Sequence, residues 1–184
     1  MADTIVTPEC RFSYPNVFRA RQVNNVGEPK YSISLLFPKG ADLSKLKQAA
    51  EAAAREKWGK DLPKNLRSPF LKAETLRDNA SKPQLELEDG MVVIRASSKQ
   101  RPGLVDASMQ DIIDESQFYA GCYGRASLRA FCYEQQGNRG VSFGLQNVQK
   151  LRDGEPLAGR TRPQDDFEPV ADAGGGTSSD SLFE

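Results

Sequence analysis

Between Cys122 and Tyr133 the chain alternates without a break. Cys122, Gly124, Ala126, Leu128, Ala130 and Cys132 take one parity, while Tyr123, Arg125, Ser127, Arg129, Phe131 and Tyr133 take the other. Side chains of an extended chain point alternately to its two faces, so this segment is a strand with one small, apolar face and one aromatic, cationic face. The small face suits the inside of a tightly curved sheet. The other is a stripe roughly 30 Å long at about 3.3 Å per residue. Turning the strand over, so that the aromatic face packs under a helix, would bury Arg125 and Arg129, which is costly without partners.

The rest of the chain supplies the partners of such a strand. Residues 121–135 and 141–151 form a hairpin joined across Gln136-Gly137-Asn138. Arg11 to Val23 mixes aromatic, β-branched and basic residues around Pro15-Asn16, which predicts a strand with a bulge or bend. From Lys30 to Phe37, Tyr31, Ile33, Leu35 and Phe37 share one face and Lys30, Ser32 and Ser34 the other, a period-two strand with one face buried. Turn residues at 24–27 make these two strands an antiparallel pair. Leu43, Leu46, Ala50, Ala54 and Trp58 then recur at helical spacing, with Asp42 or Ser44 near the cap and Gly59 at the stop, a helix of about 16 residues. Trp58 lies on the apolar stripe and reads as core. Residues 60–90 read as an excursion with at most short structure, including a weak alternation at Leu85/Leu87. Met91 to Ser97 reads as a short buried strand, residues 98–103 as a basic loop, and 114–119 as a helical turn. This order, mainly β with one central helix, is that of an OB-fold-like small β-barrel.

Charge divides the chain differently. It holds 25 Lys+Arg against 25 Asp+Glu, but residues 163–184 carry six acids and no base, which leaves 25 against 19, a net +6, on residues 1–162. A positive body with an acidic tail points to a polyanion partner. The expected organisation is a flexible N-terminal arm over 1–10, one nucleic-acid-binding domain over 11–162 and a disordered acidic tail over 163–184. The body, about 150 residues, is large enough for a single core. Three cysteines, an odd number, and a start without the blocks of a signal peptide indicate a reducing cytoplasm. No apolar run approaches the roughly 18 residues that span a bilayer, so no membrane partner is expected.

Several chemistries are excluded or disfavoured. The chain has no histidine, hence neither the usual general base nor the usual metal ligand. Three thiols without imidazole do not complete a structural zinc site, and there is no GxxxxGK[ST] phosphate loop. No cofactor and no metal is expected. Acidic clusters at Glu86/Glu88/Asp89, Asp111/Asp114/Glu115 and Asp165/Asp166 read as solvated loop charge, since none is flanked by strongly apolar segments that would hold it rigid. Gly121-Cys122-Tyr123-Gly124 matches the GxxG of KH domains, but it opens a strand instead of joining two helices.

What remains is the stripe. Rings stack exposed bases without regard to sequence, at about 1–3 kcal/mol each, and arginines neutralise phosphates. Duplex offers bases only at groove edges, so the partner expected is a single strand. Tyr123, Phe131 and Tyr133 are assigned to stacking. Arg125, Arg129, Lys99 and Arg101 are assigned to phosphates, with Arg21, Arg139 and Lys150 extending the track.

These same stretches resemble a family. Residues 11–16, 30–32, 97–103, 121–125 and 147–154 are similar to phage single-stranded DNA-binding proteins of a group long known as a domain of unknown function, the Enterobacter phage member among them. The resemblance spans residues 11 to about 168. It implies an OB-fold that coats single-stranded DNA during phage replication or recombination, in the cytoplasm of the infected host, with an acidic tail and no enzymatic activity. Tails of this kind often end on an aromatic residue, whereas here Glu184 follows Phe183, so a partner pocket shaped for a terminal Phe does not fit directly. Asp180, Leu182, Phe183 and Glu184 are the tail residues expected to recruit replication proteins, and 165–168 repeats their composition. A strand-annealing recombination protein is the nearest alternative. A small carboxylate- or metal-dependent nuclease is the alternative from another class, and a structural or interaction module comes third. The sequence leaves the oligomeric state open.

Overall fold

The computed structural model describes residues 4–23, 26–80, 86–157 and 167–170. Its strands are β1 (Ile5–Val6), β2 (Cys10–Val23), β3 (Val26–Phe37), β4 (Leu71–Lys72), β5 (Val92–Ser98), β6 (Gly103–Val105), β7 (Tyr123–Gln135) and β8 (Asn138–Arg152). Two helices, α1 (Ser44–Trp58) and α2 (Ala73–Asp78), and a 3₁₀ turn (Glu115–Gln117) complete it. β2 pairs antiparallel with β3, β3 with β5, and β7 with both β8 and β2, while β5 pairs parallel with β8. The pairing therefore runs β2-β3-β5-β8-β7 and returns to β2. This ring, with one parallel contact between β5 and β8, is the OB-fold-like architecture expected from the element order.

Each expected element has a visible local cause. At the β7–β8 tip, Gln136 (φ 50) and Gly137 (φ 80) both take the left-handed conformation of a two-residue turn whose twist matches the strands. β2 bulges where Pro15-Asn16 predicted it: its register against β3 shifts between Ser13 and Asn16, with Tyr14 at φ 47. Asp42 Oδ1 accepts from Ser44 N and Ser44 Oγ just before α1, and Gly59 N donates to Arg55 O at its end. α1 buries Leu46, Ala50 and Ala54 against the ring's interior, where Phe12, Ile33, Leu35, Phe37, Ile94 and Phe143 converge. Trp58 packs against that core, half-buried.

Three expectations need correction. The N-terminal arm is not loose over its described part: Ile5 and Val6 pair with Leu128 and Ser127, and buried Thr7 bonds both ways with Ala126. β3 is covered on both faces at its end, because Leu36 joins Val93, Ala73 of α2 and Leu87 in a second apolar cluster. The basic loop after β5 ends in a strand, β6, that pairs parallel with β8.

The interior of β7 is tightly packed. A Cβ on Gly124 would collide with the Gln149 carbonyl oxygen and lie 2.7 Å from Phe12 Cε2. Gly124→Ala is expected to cost about 3 kcal/mol or more in urea unfolding, because backbone and a buried ring must both move.

Candidate nucleic-acid interface

The alternation of β7 is realised. Gly124, Ala126, Leu128 and Ala130 are buried, whereas Arg125, Arg129 and Phe131 are exposed and Ser127 and Tyr133 half-buried. Across the hairpin, Arg129, Phe131 and Tyr133 face Gly144, Ser142 and Gly140 of β8, so the outer surface beside the large side chains is shallow. Tyr133 lies over Gly140, where an added Cβ would sit 2.5 Å from the phenol oxygen and 2.9 Å from Arg67 Cβ. Arg67 reaches this spot because its backbone bonds to Arg139 O and Val141 N and its guanidinium donates to Asn138 Oδ1 at 3.0 Å. Sequence pattern did not single it out, since a one-residue bridge leaves no periodicity.

The other expected residues are distributed unevenly. Tyr123 shares the outer parity, but its ring is taken: the Arg152 guanidinium lies 3.9 Å from its centroid and that of Arg11 5.4 Å. Arg11 also donates to Gly121 O and Glu155 O, and Arg152 to Glu9, so this cluster holds the ends of β2, β7 and β8 together. Lys150 is likewise part of the scaffold. Its side chain is 14% exposed, with Nζ 2.6 Å from both Gln117 O and Asp153 Oδ1 and 5.4 Å from the Tyr119 ring. Arg139 pairs with Glu134 at 3.2 Å near the tip. Lys99 pairs with Glu28 at 3.2 Å, and Arg101 lies 5.9 Å over Phe18. With exposed Arg21, these two belong to the β2–β3 side of the ring, not to the stripe.

That side carries a feature sequence reasoning missed. Ser13, Ser34 and Arg95 form one cross-strand row, Asn16, Ser32 and Ser97 a second, and Arg21 and Lys30 a third. Small hydroxyls floor it and exposed cations rim it. The signal was present in the Lys30/Ser32/Ser34 parity, which reads equally well as a plain solvent face. Among the described residues, no carboxylate lies within ion-pair distance of Arg125, Arg129, Arg95, Arg21 or Lys30.

Reactive groups are few. Burial pushes the Cys10 thiol far above its ordinary range, and desolvation also raises Cys122 and Cys132; such thiols are poor nucleophiles. Among the described residues no three His, Cys, Asp or Glu side chains are grouped to hold a metal ion, and no helix is long and apolar enough to cross a membrane. Asp165/Asp166 and the tail residues Asp180, Leu182, Phe183 and Glu184 lie outside the described residues.

Ring topology and an outer face of rings and unneutralised cations define an OB-fold-like protein of the nucleic-acid-binding type. Residues 3–177 match the family model described as the ssDNA-binding protein of Enterobacter phage Enc34, and the chain belongs to that family. It is 32% identical over 155 residues, 81% of this chain and 83% of the relative, to putative protein p50 of Acyrthosiphon pisum secondary endosymbiont phage 1. The solved single-stranded DNA-binding protein of bacteriophage Enc34 in complex with ssDNA aligns with a TM-score of 0.70 at 24% identity, covering 84% of this chain and 89% of that one. Its C-terminal truncation aligns at 0.66 and 26% identity, over 83% and 87%. The single-stranded DNA-binding protein gp2.5 of bacteriophage T7 shares the fold, at a TM-score of 0.55 and 14% identity over 91% and 98%.

The two aromatic environments are expected to separate in a stability measurement. Tyr123→Ala, which removes the ring beneath two guanidinium groups, costs about 1–2 kcal/mol, while Phe131→Ala stays within about 0.5 kcal/mol of the parent. Equal losses in chemical denaturation would mean that Tyr123 is no more structural than Phe131.

Proposed function

We propose that the protein binds single-stranded DNA with little regard to sequence, coats it during phage DNA replication or recombination in the cytoplasm of the infected host, and does so as a binding protein, not an enzyme. The observation that carries this reading is the outer face of the β7–β8 hairpin, where Phe131 is 44% exposed and Arg129 has no carboxylate partner among the described residues. Phe131 and Tyr133 stack bases, and Arg129 and Arg67 neutralise phosphates along the same edge. The exposed pair Arg139–Glu134 opens at little cost and adds a cation at the tip. The β2–β3–β5 side, with Arg21, Lys30, Arg95, Lys99 and Arg101, accommodates the strand as it leaves the hairpin. Membership of the Enc34 family supports the reading, because a solved member is an ssDNA complex.

Fluorescence titration with oligo(dT) and a matched duplex tests it. Four to six neutralised phosphates give a log–log salt slope of roughly −3 to −4, at about −0.7 each. Phe131→Ala weakens binding by about 1–3 kcal/mol at unchanged slope, and Arg129→Ala makes the slope shallower by just under one unit. Equal affinity for duplex would remove the stacking argument.

The acidic tail is proposed to compete with DNA and, through Phe183, to recruit replication proteins. Deleting residues 163–184 removes six carboxylates, and is expected to tighten oligo(dT) binding at low salt but not above about 0.3 M, where the Debye length falls to a few ångströms. Unchanged affinity at low salt would leave the tail without a role at the interface.

A further inference from the structure

On the outer side of the ring β1, β7, β8 and β6 lie in sequence, and their cross-strand partners fall into two rows. Val6, Ser127, Asn147 and Gly103 make one row; Arg125, Gln149 and Val105 make the other. Residues directly opposite in a sheet share a face, and all members of the two rows except Gly103 line one groove, of about 390 Å³. Val6, 55% exposed, and Met109, 68% exposed, line it from the two sides.

Met109 is held in place at a cost. Its φ of 66 is left-handed, a conformation unfavourable to a residue with a Cβ. A closed turn maintains it: Asp106 Oδ1 accepts from Ser108 N and Gln110 N, and Met109 N donates to Asp106 O at 3.0 Å. The turn holds Met109 over the groove, with its Sδ 3.6 Å from Gln149 Nε2.

The polar groups of the groove are sorted by type. Gln149 Oε1 accepts from Arg125 Nε at 2.7 Å, and its amide nitrogen donates to Asp106 O. Asn147 Oδ1 accepts from Gly103 N at 3.2 Å, and Ser127 Oγ accepts from Asn147 N at 3.1 Å. Each amide oxygen accepts one of these bonds. The groups that make none among the described residues are donors: the terminal nitrogens of Arg125, Asn147 Nδ2 and the Ser127 hydroxyl hydrogen.

We propose that this groove is a base pocket, taking one unstacked nucleobase of bound single-stranded DNA between Val6 and Met109 and reading acceptor atoms on its edge through Arg125 and Asn147. The inference rests on the function proposed above and deepens it. A base fits because it is flat and apolar on its faces, and because the unneutralised Arg129 and exposed Phe131 continue along the same strand toward the neighbouring nucleotide. A peptide fits less well, since its backbone brings donors and acceptors in equal number and half of them would meet donors. Every base carries such acceptors, in the carbonyl oxygens of thymine, guanine and cytosine and in N7 of both purines, so the pocket is compatible with sequence-tolerant binding. Arg125 is thereby assigned to a base, not to the phosphate backbone.

Binding of Met109→Gly, Val6→Ser and Arg125→Met to labelled oligo(dT), and to an abasic oligomer of equal length, is the test. Glycine adopts the left-handed backbone freely, so Met109→Gly keeps the fold. It is expected to bind oligo(dT) at least about fivefold more weakly with an unchanged salt slope, while its affinity for the abasic oligomer matches that of the parent. Arg125→Met is expected to weaken oligo(dT) binding, again without moving the slope. If Met109→Gly and Val6→Ser both stay within about twofold of a parent that binds oligo(dT), or if Arg125→Met reduces the slope as a phosphate contact does, the pocket is overturned and single-strand binding stands. A parent with no affinity for oligo(dT) overturns both.

Discussion

Ring closure at β7 is the constraint on which the other features depend. This strand pairs with β8 along one edge and with β2 and β1 along the other, and it bends to do so, with register shifts between Tyr123 and Gly124 and between Ser127 and Leu128. Inside the bend, space is short. Gly124 meets the β8 backbone and the Phe12 ring, and the next inward positions are alanine, leucine and alanine. The aromatic rings and arginines of β7 all fall on the outer face, while Leu128 is the one large side chain among these inward positions. The exposed aromatic and cationic stripe is the counterpart of a small-residue interior, produced by the same two-residue period.

The second determinant is how the fold spends its cations. Arg11, Arg152 and Lys150 are used to bind strand ends and the segment after β8, through carbonyl oxygens, Glu9, Asp153 and two tyrosine rings. Arg125, Arg129, Arg95, Arg21 and Lys30 meet no carboxylate among the described residues. Lys99 and Arg139 fall between, in exposed pairs that contribute little and exchange readily for a phosphate. A net positive body is thus divided into charge tied into the scaffold and charge left without a carboxylate partner among the described residues.

Much of this was legible in the sequence because it repeats locally. Twelve alternating residues from Cys122 to Tyr133, the helical spacing from Leu43 to Trp58, and turn residues at 136–137 each carry their own period or backbone requirement. The short strands β1 and β6 and the Arg67 bridge carry none, and they exist only because a distant strand edge is there to pair with. Faces were readable, but neighbours were not. Tyr123 and Phe131 share a parity, yet only tertiary structure puts Arg11 and Arg152 over one ring and leaves the other open. The same limit separates Lys150 from Arg129, and it hid the serine rows across β2, β3 and β5, whose members come from three segments.

The claim at the centre is that the outer face of the β7–β8 hairpin is where a single strand lies. Backbone amide shifts followed during titration of the full chain with oligo(dT) test it without any substitution. The account predicts that the largest perturbations fall within residues 125–133 and 138–149, together with Arg67. Perturbations confined to the β2–β3–β5 side, with the β7 amides unmoved, would contradict it.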